Sequence, residues 1–249
     1  MAKVYAVGIG PGSLELLTPQ ARRILSECTA VAGYRMYLDQ IAPLIEGKKL
    51  IPGAMRQELQ RCRQALDAAL NGETVAVVSS GDAGIYGMAG LLLELTEEDP
   101  YREIEVEVIP GITAATSCAA LVGAPLMNDF AVVSLSDLMT DRETIEKRLR
   151  ALAAADLPTV LYNPASRRRH ELLDYAIRTF REAGGNLPCA LVRDAYRDGE
   201  QIEICRLDDF PFEKVQMTTL VLIGNSQTRI KGNRLYNRRG YSDKYGLES

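Results

Sequence analysis

Three short runs in this chain put glycine where an apolar strand gives way to a loop, and they hold the residues best placed for chemistry. Residues 4–12, VYAVGIGPG, read as a strand entering a glycine-proline loop. Gly8, Gly10 and Gly12 free the backbone to turn and leave bare main chain for a ligand to approach. Pro11 fixes one φ and removes a donor, which stiffens the loop. Residues 77–90, VVSSGDAGIYGMAG, follow the same plan, with Gly81 and Gly84 around Asp82. A carboxylate there, near a helix start, can accept backbone or ligand hydrogen bonds. The third run, PGITAA at 110–115, presents the Thr113 hydroxyl at a helix start beside small alanines. Each run alone also reads as a capped turn. Open α/β sheets hold ligands at the carboxyl ends of strands, so three such loops on one sheet converge on one face.

The spacing excludes some chemistry. A dinucleotide fingerprint needs G-x-G-x-x-G opening directly into a helix. Here G-x-G-P-G is followed by five residues before Thr18-Pro19, an N-cap with proline at the first helical position. That helix start stands too far along to sit on a pyrophosphate. The five cysteines, Cys28, Cys62, Cys118, Cys189 and Cys205, are odd in number and form no C-x-x-C pair, so buried reduced thiols are expected. With one histidine, His170, a zinc site or a Ser-His triad is disfavoured.

Holding three loops on one face takes a parallel sheet with helices on both sides, and the rhythm of the first half predicts one. Strands are expected at 4–7, 30–33, 74–78 and 104–109, the last half-exposed or at an edge. Helices are expected at 19–28, 56–70, 85–95 and 112–121. In 56–70 the apolar stripe is Leu59, Cys62, Leu66 and Ala69, ending at Asn71-Gly72. A second unit is expected from Gly123-Ala124-Pro125 onward. It has strands at 130–135, 159–162, 189–192, 201–205 and 219–223 and helices at 142–154 and 168–181, the second ending at Gly184-Gly185. Short connections make part of its sheet antiparallel. The expected organisation is α/β with two α/β domains, residues 1–124 on a mostly parallel sheet and 125–228 on a mixed sheet. A polar tail follows at 229–249, either packed on the body or loose.

The 249 residues are ample for a buried core, and 47% hydrophobic with 25% charged is ordinary for a globular protein. A net charge of −4 with dispersed Lys and Arg disfavours nucleic acid as a partner. No apolar run reaches membrane-spanning length and MAKVYAVGIG has no leader pattern, so a cytoplasmic protein is expected.

Taken with SLSDLMT at 134–140 and LYNPASRRR at 161–169, the three glycine runs resemble the tetrapyrrole methylases, the class III methyltransferases that use S-adenosylmethionine. The resemblance covers residues 4–224. SLSDLMT and GYRMYLD at 33–39 are similar to the branch that methylates precorrin-3B or cobalt-factor III at carbon 17. It implies a homodimer of two-domain chains, with S-adenosylmethionine in the cleft between domains and no protein-bound metal. Pro11 would border this cofactor. Gly81, Asp82 and Ala83, with Ile85 and Tyr86, would hold its amino-acid part, and Thr113 and Ala114 would line the same pocket. Tyr162, Asn163, Asp194, Ala195, Thr218 and Thr219 would enclose adenine and ribose. Family members often carry Gly-Asp-Pro where this chain has Gly81-Asp82-Ala83, and alanine there suits this branch.

Methyl transfer from a sulfonium asks mainly for alignment, worth roughly 7–11 kcal/mol in favourable cases. The implied reaction also contracts the macrocycle, which needs proton transfers; Asp137, Ser136 and Asp82 are the candidates. The substrate's carboxylate arms want arginine, and Tyr34, Arg35, Arg56 and Arg61 are the first choices. Arg167, Arg168 and Arg169 are further ones, and His170 packs or caps more readily than it transfers protons. Competing readings are a methylase for another precorrin carbon, a translation factor or ribosomal RNA, and a tetrapyrrole carrier without turnover.

Overall fold

The computed structural model describes residues 2–54, 56–164 and 171–246. The chain divides into two compact units, Met1–Ala114 and Ala115–Ser249. The first runs β1 (Lys3–Gly8), α1 (Pro19–Glu27), β2 (Ala30–Tyr34), α2 (Arg35–Gln40), β3 (Lys49–Gly53), α3 (Glu58–Leu70), β4 (Val75–Ser79), α4 (Ala89–Leu95) and β5 (Glu105–Ile109). All five strands are parallel, in the order β3-β2-β4-β1-β5. Successive strand residues serve opposite faces. Val4, Ala6, Val75 and Val77 pack with Cys62 and Leu66 of α3 and Leu92 of α4. Val7, Val31, Ala76 and Val78 pack with Ile24 and Leu25 of α1 and Leu38 of α2. Burial on both faces is why these strands read as nearly continuous apolar runs.

The N-cap reading at Thr18 holds: its Oγ1 accepts the Ala21 N–H at 3.1 Å, with Pro19 in the first turn. Several expectations need correction. Strand β3 was not anticipated, because KLIPG is half-exposed and carries Pro52, which an edge strand tolerates. Helix α3 starts at Glu58, two residues late, since Arg56 sits in a turn at φ 65°. Its buried stripe includes Arg61, Cys62, Ala65, Leu66 and Ala69, whereas Leu59 is exposed. Helix α4 starts at Ala89 rather than 85, because Tyr86 is left-handed at φ 53° and Gly87 lies tight against the Ala83 carbonyl.

Helix α5 (Ala114–Val122), rather than 112–121, carries the chain into the second unit. There follow β6 (Gly123–Ala124), β7 (Ala131–Ser134), α6 (Arg142–Ala154), β8 (Thr159–Tyr162), α7 (Glu171–Gly184), β9 (Pro188–Arg193), β10 (Gln201–Arg206), β11 (Thr219–Ile223), β12 (Thr228–Lys231), β13 (Arg234–Asn237) and α8 (Tyr241–Tyr245). Strands β10-β9-β11-β8-β7 form a mixed sheet in which only β7 and β8 are parallel. Ile145 and Leu149 of α6 and Leu173, Ile177 and Phe180 of α7 bury Leu161, Leu191 and Val221. Helix α7 ends where expected, with the Gly185 N–H on the Arg181 carbonyl at 2.9 Å. Arg167, Arg168, Arg169 and His170, and the expected helix start at 168, lie outside the described residues. Much of the expected tail packs: the β12-β13 hairpin pairs with β6 and buries Leu235 completely. Among the described residues no helix is long and apolar enough to cross a membrane.

Candidate functional site

Strand β1 lies between β4 and β5, so the connections leaving their carboxyl ends are neighbours. Gly10 and Gly81 exchange two backbone hydrogen bonds, at 3.0 and 2.8 Å, and the Ile9 N–H reaches the Ser79 carbonyl at 2.9 Å. A Cβ on Gly8 would stand 2.7 Å from both the Gly111 nitrogen and the Gly81 carbonyl oxygen. One on Gly111 would meet the same Gly81 oxygen closer still. Gly8 and Gly111 therefore serve loop-against-loop packing. Gly10 and Gly81 are left-handed, at φ 74° and 71°.

Asp82 braces this arrangement. Its Oδ1 accepts the Gly84 N–H at 2.8 Å and its Oδ2 accepts the Gly111 N–H at 2.9 Å. The Ser79 hydroxyl accepts the Met88 N–H at 3.1 Å and closes the base of the same loop. Ala83 is fully buried, with its carbonyl on the Ala89 N–H, and Pro11 is buried too. These two shape the loops from behind. Ile85 and Tyr86 face outward, and Thr113 and Ala114 are half-buried. Residues 8–13, 79–88 and 110–114 contain no Lys, Arg or His, and their one side-chain carboxylate is Asp82. Such a lining suits a ligand that brings its own positive charge to exposed main chain.

In the second unit, the turns after β8 and β9 hold Asn163, Asp194 and Tyr196 at φ 51°, 49° and 58°. Non-glycine residues in this region are worth functional scrutiny. The Asn163 amide donates to the Ser134 hydroxyl oxygen at 2.9 Å, and the Ser136 N–H donates to the same oxygen at 3.2 Å. The ends of β7 and β8 are thereby tied. The Tyr162 hydroxyl accepts the Ala115 N–H at 2.7 Å. Asp194 Oδ2 lies 3.6 Å from Arg193 Nε. Thr219 and Ala195 are buried, the Thr219 hydroxyl accepting the Gln216 N–H at 2.9 Å, whereas Thr218 is exposed. Asp137 is exposed and precedes Leu138 and the almost fully exposed Met139.

Tyr34 ends β2 and Arg35 opens α2, while Arg56 and Arg61 follow β3; Arg35 and Arg56 are exposed. Arg61 is not a surface side chain, being 5% exposed. Its Nη1 donates to the Ala54 carbonyl at 3.3 Å, its Nη2 lies 3.6 Å from the Met88 sulfur, and its Nε has no partner among the described residues. The helix rotation that buries Cys62 and Ala65 carries Arg61 inward, where it props the β3–α3 connection. Three residues were missed by sequence reasoning: Ser79, Ser134 and Tyr196. The serines had a faint signal, since each closes a Val-Val-Ser strand end; Tyr196 had none.

The family model described as Tetrapyrrole (Corrin/Porphyrin) Methylases matches residues 3–211. A cobalamin biosynthesis protein CbiHC of Archaeoglobus fulgidus is 42% identical over 98% of this chain, which spans about half (54%) of that relative's length. A probable cobalt-factor III C(17)-methyltransferase of Salmonella typhimurium is 41% identical over 95% of this chain and 98% of its own. Among solved structures, the methyltransferase CobJ superposes with a TM-score of 0.90 at 38% identity, covering 96% of this chain and all of that one. A uroporphyrin-III C-methyl transferase of Thermus thermophilus, complexed with S-adenyl homocysteine, gives 0.71 at 26% identity, covering 89% and 97%.

Proposed function

Because this chain belongs to the tetrapyrrole (corrin/porphyrin) methylases, we propose that it methylates cobalt-factor III or precorrin-3B at carbon 17, with ring contraction, using S-adenosylmethionine. The observation that carries the reading is the knot of three loops at β1, β4 and β5, braced by Asp82 and free of basic side chains. That lining fits a zwitterionic amino-acid end and a sulfonium. When bound, the donor supplies an activated methyl group. The chain's task is then to hold and align. Main chain around Gly81 and Thr113 takes the amino-acid end, and Asp82 keeps the loops in place through two backbone N–H groups. In the second unit, Asn163, Asp194 and Thr218 are the polar side chains proposed for the adenosine part. The exposed Asp137, with Ser136, is proposed to move the protons of ring contraction. Arg35 and Arg56 are proposed for the substrate's carboxylates.

The test is incubation with S-adenosylmethionine and, separately, cobalt-factor III and precorrin-3B, followed by mass analysis. One added methyl on either macrocycle supports the reading and tells the two apart; neither reacting overturns it. Family resemblance also supports a cytoplasmic homodimer, for which sedimentation should give twice 27.4 kDa.

A further inference from the structure

We propose that Cys189 and Cys205 are a redox modification site, forming a reversible disulfide that ties edge strand β10 to β9. The two are register partners in the antiparallel pair, and their Sγ atoms lie 3.2 Å apart. Two residues along, the Leu207 N–H donates to the Leu187 carbonyl at 3.0 Å. Pair type alternates along an antiparallel ladder, so Cys189 and Cys205 are again a mutually bonded pair, with Cα atoms about 5.5 Å apart. That separation is close to the commonest one in disulfides, so the bond asks for side-chain rotation and little backbone movement. Both side chains face the core beside α7, but only Cys189 is fully buried; half-buried Cys205 can be reached by a small oxidant.

The other three thiols are different. Burial pushes Cys62 up to about 11 and Cys118 up to about 12, and raises Cys28, whose Sγ donates to the Leu25 carbonyl. Cys205 moves the opposite way, through its hydrogen bond with Cys189. It is the natural attacking thiolate.

The oxidant is a low-molecular-weight disulfide such as oxidised glutathione. Cys205 gives up its proton and attacks one glutathione sulfur, displacing the first glutathione thiolate. Cys189 then gives up its proton and attacks Cys205 Sγ, displacing the second. One protein S–S bond forms, one glutathione S–S bond is reduced, and the two protons end on the two released thiols. The link closes a loop through 190–204 and restricts the unfolded chain. Cys189 lies near the start of β9 and Asp194 follows its end, roughly 17 Å of extended strand away. The staple should therefore leave the turns proposed for the donor undisturbed, and it stands whether or not that reading does.

The full chain is equilibrated with oxidised glutathione, quenched in acid and weighed intact. The expected result is a loss of roughly 2 Da with no glutathione adduct, and a loss of about two titratable thiols on denaturation. Peptide mapping should join Cys189 to Cys205, and dithiothreitol should restore all five thiols. The oxidised protein's unfolding midpoint should rise by roughly 5 °C, a shift that Cys205→Ser abolishes. A lasting adduct on Cys205, a link to another cysteine, an unchanged thiol count or an unchanged midpoint would each overturn the proposal. The thiol count on the parent chain needs no variant to fold.

Discussion

Strand β4 ends in Val-Val-Ser and so does β7, and in both the last serine turns its hydroxyl onto the connection that follows. Ser79 takes the Met88 N–H and Ser134 takes the Ser136 N–H. Their surroundings differ. Around β4 the left-handed positions are Gly10 and Gly81 where the loops touch, with Tyr86 further along, and the loops meet main chain to main chain, leaving no room for a Cβ on Gly8 or Gly111. Around β7, β8 and β9 the left-handed positions include Asn163, Asp194 and Tyr196, which keep their side chains at roughly 1–2 kcal/mol of backbone strain each. The touching loops at β1, β4 and β5 offer bare peptide groups held by steric exclusion. The turns after β8 and β9 spend strain to keep side chains.

That contrast breaks most visibly at Gly111. A methyl there has only backbone to displace, so Gly111→Ala should cost about 3 kcal/mol, read by urea unfolding, and abolish turnover. A variant as stable as the parent would mean the loops are not interlocked. Next comes Asp82→Ala, which strips the acceptor from the Gly84 and Gly111 N–H groups. It should cost about 2 kcal/mol and end turnover together, with Asp82→Asn in between. Lost turnover at full stability would make Asp82 a reacting group instead of a brace.

The second unit should answer in the opposite sense. Asn163→Gly and Asp194→Gly relieve strain, so stability should hold, while calorimetric affinity for S-adenosylhomocysteine falls about tenfold, or 1.4 kcal/mol. Unchanged affinity would show that the strain serves no ligand. The smallest effects separate the helix caps. Thr18→Ala should cost about 1 kcal/mol at every pH. Asp141, which caps α6, is held below its ordinary 3.8 by the backbone N–H and then the hydroxyl of Thr144. A depressed carboxyl contributes above its unfolded value and loses that contribution as pH falls through the folded one. Thermal melts of Asp141→Asn against the parent should therefore converge as pH drops below 3.8 and separate above it.

Thr18-Pro19, the apolar strands running into glycine and the stop at Gly184-Gly185 were legible in the sequence. Caps and turns act within a few residues of themselves, and burial on both faces of a strand is written in its composition. The shared family motifs were legible for the same reason, being short and contiguous. Nothing local revealed the strand order β3-β2-β4-β1-β5, the burial of Arg61 or the pairing of Cys189 with Cys205. Nor did it reveal that Gly8 and Gly111 pack directly against the backbone of neighbouring loops. Those depend on which distant segments lie side by side and in what register, and only packing of the whole chain sets that.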